Sequence, residues 1–373
     1  MSEFSFHGES PEYVKISFAA AITLGFIPGK FFREAKLYCL NLLLTYNDGC
    51  IGKCAYCGLS KSRSINGSWI DQSFIRVDWP IVSLNEFIKR MSDEKCSHIE
   101  RVCVSMITNR KAVKDTLTIV KRLKEKTDAI SSLIAPTIIN EEWLCKLKDA
   151  GADKVGIAID AATPSLFDKL RGKGVKGPHK WSWYWKIVEE ALKIFGENNV
   201  GVHLIVGLGE TEEEMVMAIQ KAYDIGALTH LFSFFPEQGS LLESLPQPSI
   251  GKYRRIQLAR YLINKRISAY NKMSFDEKRR IIDFGVSKED YIKIIESGLP
   301  FMTSGCASKN MENACNRPFS DYTPYQAYIG ELRNFPFKPN NEDISIIKKQ
   351  IKDYSDTPVK EWINKGETLA NAF

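Results

Sequence analysis

Short runs of β-branched and long aliphatic residues alternate, from about residue 37 onward, with longer stretches whose apolar residues return every three or four positions. The first pattern suits a strand buried on both faces; the second gives a helix a single apolar stripe. Strands are predicted at Tyr38–Thr45, Arg101–Ile107, Ile130–Ala135, Lys154–Asp160, Gly201–Leu208 and His230–Phe235. Helices are predicted at Leu84–Met91, Ala112–Lys124, Glu141–Asp149, Trp183–Phe195 and Glu212–Tyr223. Ser83 is placed as the N-cap of the first helix, with Glu86 completing a capping box, and Gly151 closes the third. The acidic run GETEEEM favours a helix N-terminus, where the backbone dipole stabilises negative charge. Six βα-type units in succession predict an α/β fold, a (β/α) barrel or three-quarter barrel, over a doubly wound sheet.

Before this alternation, the apolar stretch Ile16–Pro28 is too short to span a bilayer and reads as a small helix packed on the main body. After Gly239 the pattern changes to a basic helix at Ile250–Lys265, a charged stretch and a loop-rich tail, in which Pro300–Ser304 fits a short strand. The expected organisation is a helical extension over 1–36, a barrel core over 37–245 and a C-terminal extension over 246–373. No internal repeat beyond the βα alternation is visible.

A content of 44% hydrophobic and 26% charged residues is that of an ordinary globular protein and argues against disorder. Fifty-one basic against forty-five acidic residues leave a net charge of only +6, without a dense basic block, so neither nucleic acid nor membrane is expected as a partner. The mild positive charge suits an acidic protein domain or an anionic cofactor. Nine cysteines in a chain of this size, with no leader pattern at its start, fit a reducing cytoplasm.

Chemistry concentrates in GCIGKCAYCGLS, directly after the first predicted strand. Cys50, Cys54 and Cys57 are spaced so that three soft thiolates can hold one iron–sulfur cluster. Three ligands on a 4Fe-4S cubane leave one iron open to bind a further molecule, whereas an electron carrier fills that position with a fourth cysteine. A zinc site is disfavoured because no second C-x2-C pair exists and no histidine lies near the run. Cys306 and Cys315, in TSGCASKNMENACNRPFSDYTP, sit in a polar, proline-bounded loop where cysteine is a poor packing residue, and so read as ligands. Cys39 and Cys103, on predicted strands, read either as small buried hydrophobes or as their partners in a second cluster. Ser304 and Arg317 are conceivable further donors; Cys96 and Cys145 read as structural.

The C-x3-C-x2-C run with Tyr56 before its last cysteine resembles the motif of radical S-adenosylmethionine enzymes. Within them, RVCVSM around Cys103 is similar to the second strand of biotin synthase. LYCLNLLLTYNDGC, CAYCGLSKSR, FIRVDWP and the late TSGC…CNRPF together resemble one subunit of the archaeal-type, two-protein lipoyl synthase, over residues 15–325. The resemblance implies a barrel in which the open iron chelates S-adenosylmethionine and one electron releases a 5′-deoxyadenosyl radical. It further implies a second, auxiliary cluster, also 4Fe-4S, that donates sulfur. The ligand set expected for it is Cys39, Cys103, Cys306 and Cys315, since the ligand run of bacterial lipoyl synthase is missing here. The implied activity is a sulfurtransferase reaction on a protein-bound octanoyl chain. The implied partners are a paralogous synthase subunit, a lipoyl-carrier protein bearing octanoyl-lysine, and a reductase or ferredoxin. Three alternatives stay open: sulfur insertion into a small molecule, a single-cluster rearrangement, and an iron–sulfur electron carrier.

Barrel geometry places further cofactor-binding candidates at the C-terminal ends of strands. Asp160 reads either as a partner of ribose hydroxyls or as an N-cap for the turn that follows. Arg171, in KLRGKG, reads either as a partner of the S-adenosylmethionine carboxylate or as a solvated side chain. His203 reads either as a ligand-orienting residue or as a satisfied core histidine. Gly207, Gly209 and Glu210 permit close backbone approach to adenine or ribose. Met106 suits the methionine side of the pocket or simple packing.

Overall fold

Parallel strands need crossovers long enough to carry a helix, and the predicted alternation folds in that way in the computed structural model, which describes residues 8–63, 79–316, 328 and 331–355. One eight-stranded sheet forms the centre, from β1 (Tyr13–Ile16), β2 (Cys39–Leu44), β3 (Ile81–Ser83), β4 (Arg101–Ser105), β5 (Ile130–Ile134), β6 (Lys154–Asp160), β7 (Val200–Val206) and β8 (Leu228–Ser233). Their spatial order is β3-β1-β2-β4-β5-β6-β7-β8. All pairings from β2 to β8 are parallel, while β1 runs antiparallel to both β2 and β3. The six parallel strands are the six predicted ones. With β1 and β3 added at one edge, they make a partial barrel that does not close on itself among the described residues.

The helices are α1 (Phe18–Thr23), α2 (Leu84–Met91), α3 (Ala112–Lys124), α4 (Glu141–Ala150), α5 (Pro164–Arg171), α6 (Trp181–Phe195), α7 (Glu212–Asp224), α8 (Ile250–Asn264), α9 (Lys288–Ser297) and α10 (Asn341–Ile351). Each predicted helix is present, with local chemistry setting its ends. Asn140 caps α4 by accepting the Trp143 N–H, and Gly151, at φ 116°, adopts the left-handed turn that stops it. Thr211 and Glu214 form a reciprocal capping box on α7. The capping box expected on α2 is incomplete: Ser83 accepts the Glu86 N–H, but the Glu86 carboxylate turns away to Arg90 at 2.8 Å. A full ion pair at i,i+4 outcompetes the return to the cap. In place of a strand at 300–304, there is a 3-10 turn, Leu299–Phe301, followed by one parallel bridge from Met302 to Phe335. Before β8, the elements β1, β3 and α5 went unforeseen; beyond it, so did α9 and α10, in what the sequence suggested was a charged, loop-rich tail. The two strands are too short to display a period, and α5 follows β6 almost without a break.

The two faces of the parallel sheet differ. One carries Leu40 and Leu42, Val102 and Val104, Val155, Ile157 and Ile159, Val202 and Leu204, all buried against the helices. The other, by the strand registers, carries Cys39, Asn41, Arg101, Cys103, Ser131, Leu133, Lys154, Gly156, Ala158, His203, Ile205, His230 and Phe232. Within β4 to β8, the half-exposed residues Cys103, Leu133, Ala158, His203, Ile205 and Phe232 all belong to this inner face. They line open space inside the barrel.

Beyond β8, α8 packs across β8 and α7, and α10 packs on α8. Although basic, α8 is buried nearly all round, because its arginines find acceptors. Arg254 donates to Leu332 O, Arg333 O and Gln257. Arg255 pairs with Glu212 at 2.6 Å, both side chains about 2% exposed. Glu212 also accepts the Ile281 N–H, in β10 (Ile281–Asp283), which pairs with β9 (Ser274–Phe275). No described helix is long and apolar enough to cross a membrane.

Removing one partner of this buried pair strands the other charge. Arg255→Met should therefore cost about 3–5 kcal/mol of unfolding free energy, read from denaturant midpoints of the metal-free protein. Adding Glu212→Gln to it should recover part of the loss.

Candidate active site

The three-cysteine loop leaves the C-terminal end of β2 and is held from three sides. Its Ile51 N–H donates to Thr108 O beyond β4, at 2.9 Å; the Ala55 N–H donates to Leu170 O of α5, at 2.7 Å; and the Leu242 N–H, beyond β8, donates to Ala55 O at 3.1 Å. Gly49, at φ 64°, makes the turn into the loop, and the Asn109 amide donates to its carbonyl. Backbone N–H groups already face two of the sulfurs: Gly52 N lies 3.3 Å from Cys50 Sγ and Leu59 N lies 3.4 Å from Cys57 Sγ. Burial pushes the Cys54 thiol up to about 11 and holds Cys57 well above the usual thiol range. Among the described residues no three His, Cys, Asp or Glu side chains converge on a single point. A cubane does not require that, since each thiolate binds a different iron. Soft donors on one loop, with N–H groups aimed at the sulfurs, fit an iron–sulfur cluster.

Behind the loop lies a buried polar network. The Tyr56 hydroxyl donates to Asp160 Oδ2 at 2.5 Å, and Arg171 Nη1 donates to the same oxygen at 2.7 Å. Arg171 also donates to Ala158 O and, through Nη2, to the Tyr184 hydroxyl. Asp160 ends β6 at φ 65°, a left-handed conformation uncommon for a side chain of this kind. Of the alternatives for Asp160, the N-cap falls to Thr163, whose hydroxyl accepts the Leu166 N–H of α5. Arg171 is not solvated; it is 5% exposed and bound on several sides. The network therefore joins Asp160 and Arg171 to Tyr56, inside the cysteine loop.

At the end of β7, Gly207 and Gly209 take φ 106° and 115°. A Cβ on Gly207 would meet Pro248 at 2.6 Å, so only glycine fits there. The Glu210 carboxylate folds back to accept the N–H groups of Gly207 and Leu208, and pairs with Lys252 at 2.8 Å. Met106 is buried just beyond β4. His203 faces His230 across the β7–β8 ladder with ring centroids 5.5 Å apart. Gly156 and Gly201 leave room for these rings, since a Cβ on either would lie within 3.0 Å of an imidazole.

The early and late cysteines meet at the opposite, N-terminal end of the strands. Cys39 begins β2 and Cys103 lies in β4, next to Asn41 in the register. Asn41 Nδ2 lies 3.9 Å from both Cys39 Sγ and Cys315 Sγ. The Cys306–Cys315 loop closes on itself, with Cys306 O accepting the N–H groups of Ala314 and Cys315. Gly305 allows this, because a Cβ there would sit 2.3 Å from Cys315 O. Two side chains fasten the loop to the barrel. Arg101 donates to Ala307 O at 2.9 Å while holding Asp153 in a bidentate pair. Asn316 accepts the Tyr38 N–H and donates to Lys36 O and Pro336 O. A hydrogen bond with Cys315, burial, and repulsion from Cys315 and Cys103 hold the Cys39 thiol far above its usual range. Cys306 is pushed up to about 12 by burial, with the same two neighbours adding. Cys39 and Cys306 thus each lie near Cys315 and Cys103, thiols of the soft kind an iron–sulfur cluster takes, although among the described residues they are not drawn together around a single point. Ser304 is otherwise engaged, accepting the Leu231 N–H of β8, and Arg317 lies outside the described residues, as does most of FIRVDWP. Cys96 is buried and Cys145 exposed, both away from these sites.

Residues 44–222 match the radical SAM superfamily. The matched segment, a little under half of the chain, includes the Cys50, Cys54 and Cys57 loop and supports radical SAM enzyme chemistry in general, for which that superfamily implies a 4Fe-4S cluster and S-adenosylmethionine. No curated protein matches the chain. Among solved structures, methylornithine synthase (PylB) aligns with TM-score 0.46 and 15% identity, covering 65% of this chain and 67% of that one. The FeFe-hydrogenase maturase HydG from Carboxydothermus hydrogenoformans aligns with TM-score 0.47 and 16% identity, over 89% of this chain and 80% of that one. The radical S-adenosylmethionine methyltransferase TsrM from Kitasatospora setae gives 0.39 and 14%, over 89% and 62%. Superpositions this loose carry no information on substrate.

Sequence reasoning missed Asn41, Asn316, His179 and Tyr184. Asn41 had a visible mark, a lone amide two residues after Cys39 in an otherwise apolar strand; the others had none. Loss of a charge-assisted hydrogen bond of about 1.5–3 kcal/mol should raise the open population of the late loop roughly tenfold or more. Arg101→Met should accordingly accelerate alkylation of Cys306 and Cys315 in the metal-free protein by that factor, as followed by peptide mass. Cys145, exposed on α4, should react at an unchanged rate and serves as the reference.

Proposed function

We propose that this protein is a radical SAM sulfurtransferase that inserts sulfur into an unactivated C–H bond of a protein-bound octanoyl chain, working beside a paralogous subunit as a lipoyl synthase. What supports the reading is that Cys39 and Cys306 each lie near Cys315 and Cys103, at the other end of β2 from the Cys50, Cys54 and Cys57 loop. The first three-cysteine set would hold the reducing cluster, with its remaining iron free for S-adenosylmethionine; the second set would hold an auxiliary cluster. When bound, these groups supply a primary alkyl radical at one end of the lumen and a sulfur source at the other.

The chain's own residues then have definable work. Leu133, Ala158, Ile205 and Phe232 offer an acyl chain an apolar wall between the two ends and exclude water from it. The network from Tyr56 through Asp160 to Arg171 fixes the cysteine loop against β6 and α5. Asn41, Arg101 and Asn316 hold the late loop against β2 and β4, so that sulfur would be presented from a set position. A carrier domain bearing the octanoyl-lysine would dock at the mouth, and its acidic surface would suit the net charge of +6.

Iron content tests the reading. The Cys50→Ala/Cys54→Ala/Cys57→Ala variant, reconstituted without oxygen, should retain about four irons per chain and matching sulfide. The intact protein should cleave S-adenosylmethionine faster with octanoylated carrier protein than with free small substrates. Retention of essentially no iron by the triple variant would remove sulfur insertion and leave a single-cluster radical reaction.

A further inference from the structure

The Tyr56–Asp160–Arg171–Tyr184 network does not end at Tyr184. The Tyr184 hydroxyl lies 2.9 Å from His179 Nδ1, and the Thr137 hydroxyl lies 2.6 Å from the same nitrogen. Because Arg171 Nη2 already donates to the Tyr184 oxygen, the tyrosine proton is free to point at Nδ1. An Nδ1 that accepts leaves the ring proton on Nε2. Burial pushes His179 down to about 2, with the Arg171 cation adding to the effect, so the ring is neutral.

Nε2 has no partner among the described residues, although His179 is 4% exposed. It faces Gly52, in the cysteine loop. A Cβ on Gly52 would lie 3.2 Å from His179 Nε2 and 3.2 Å from Cys50 Sγ. The missing side chain thus leaves a gap with a ring N–H on one wall and a cluster thiol on the other. The hydrogen-bonded chain consequently begins at Tyr56 and returns, through His179, to the same loop beside Cys50.

We propose that His179 is a positioning residue of the radical SAM cluster, its Nε2–H donating to the sulfur edge that Cys50 holds. Hydrogen bonds to sulfur stabilise the added negative charge of the reduced state, and they are among the factors that set cluster potential. Thr137 and Tyr184 keep the donor tautomer, and Gly52 keeps the approach open. The proposal rests on the loop binding a cluster and is independent of which substrate is thiolated.

The test is a redox titration of full-length protein, followed by electron paramagnetic resonance without S-adenosylmethionine. A Cys306→Ser/Cys315→Ser background ensures that only the loop cluster titrates. His179→Leu should load iron yet shift the midpoint to more negative potential, and His179→Gln, which keeps an N–H near the Nε2 position, should restore part of the shift. Midpoints in both variants equal to that of the parent would overturn the proposal, as would equal shifts in the two, which would mark a purely structural role. Absence of any reducible cluster in the parent would instead overturn the cluster reading of the loop.

Discussion

The ladder between β2 and β4 is the constraint on which both sites depend. It pairs Cys39 with Arg101 and Asn41 with Cys103. The same six residues of β2 carry Cys39 at one end and lead into the Cys50 loop at the other, about 17 Å apart along an extended strand. A slip of one residue would turn Cys39 and Asn41 toward the helices. It would also bring Leu40 and Leu42 into the lumen. The fully apolar outer face forbids such a slip, so hydrophobic burial on one side of the sheet fixes the chemistry on the other.

Polar groups buried inside the barrel are costly unless paired, and the protein meets this cost with networks rather than isolated bonds. Arg101 satisfies a carboxylate and a loop carbonyl together. Arg171 holds a carboxylate, a strand carbonyl and a tyrosine. Arg101 joins segments far apart in sequence, whereas Arg171 ties together β6, α5 and α6, its neighbours along the chain. In both, the stabilisation of a buried cation is the means by which a cysteine-bearing loop is held in place. A hydrogen bond with Cys315 and burial hold the Cys39 thiol above its usual range, and burial does the same for Cys54, Cys57 and Cys306, so binding them as thiolates would release protons.

The lumen between the two ends is graded. Toward the late cysteines it is cationic, with Arg101 and Lys154. Midway it is apolar, with Leu133, Ala158 and Ile205. Small residues at Gly156 and Gly201 are filled by the rings of His203 and His230, which narrows the space without adding backbone.

Periodicity alone made the six parallel strands, the five main helices and the barrel class legible, because burial on a repeating face is a local property of sequence. The spacing of Cys50, Cys54 and Cys57 was equally local, all three ligands lying on one short loop. The short strands β1 and β3 were hidden, since their stability comes from pairing with β2 rather than from any period of their own. The way the late Cys306–Cys315 loop is held beside β2 and β4, through Arg101, Asn41 and Asn316, appears only when the chain is folded. So does the position of His179 beside Gly52, more than a hundred residues away in sequence. Sequence by itself determined the main strands and helices and the loop that carries one set of thiols; tertiary structure decided the short edge strands and which distant side chains share a buried network. The physical reason is that periodicity and loop spacing act over a few residues, whereas a buried hydrogen bond depends on whatever packing brings within about 3 Å.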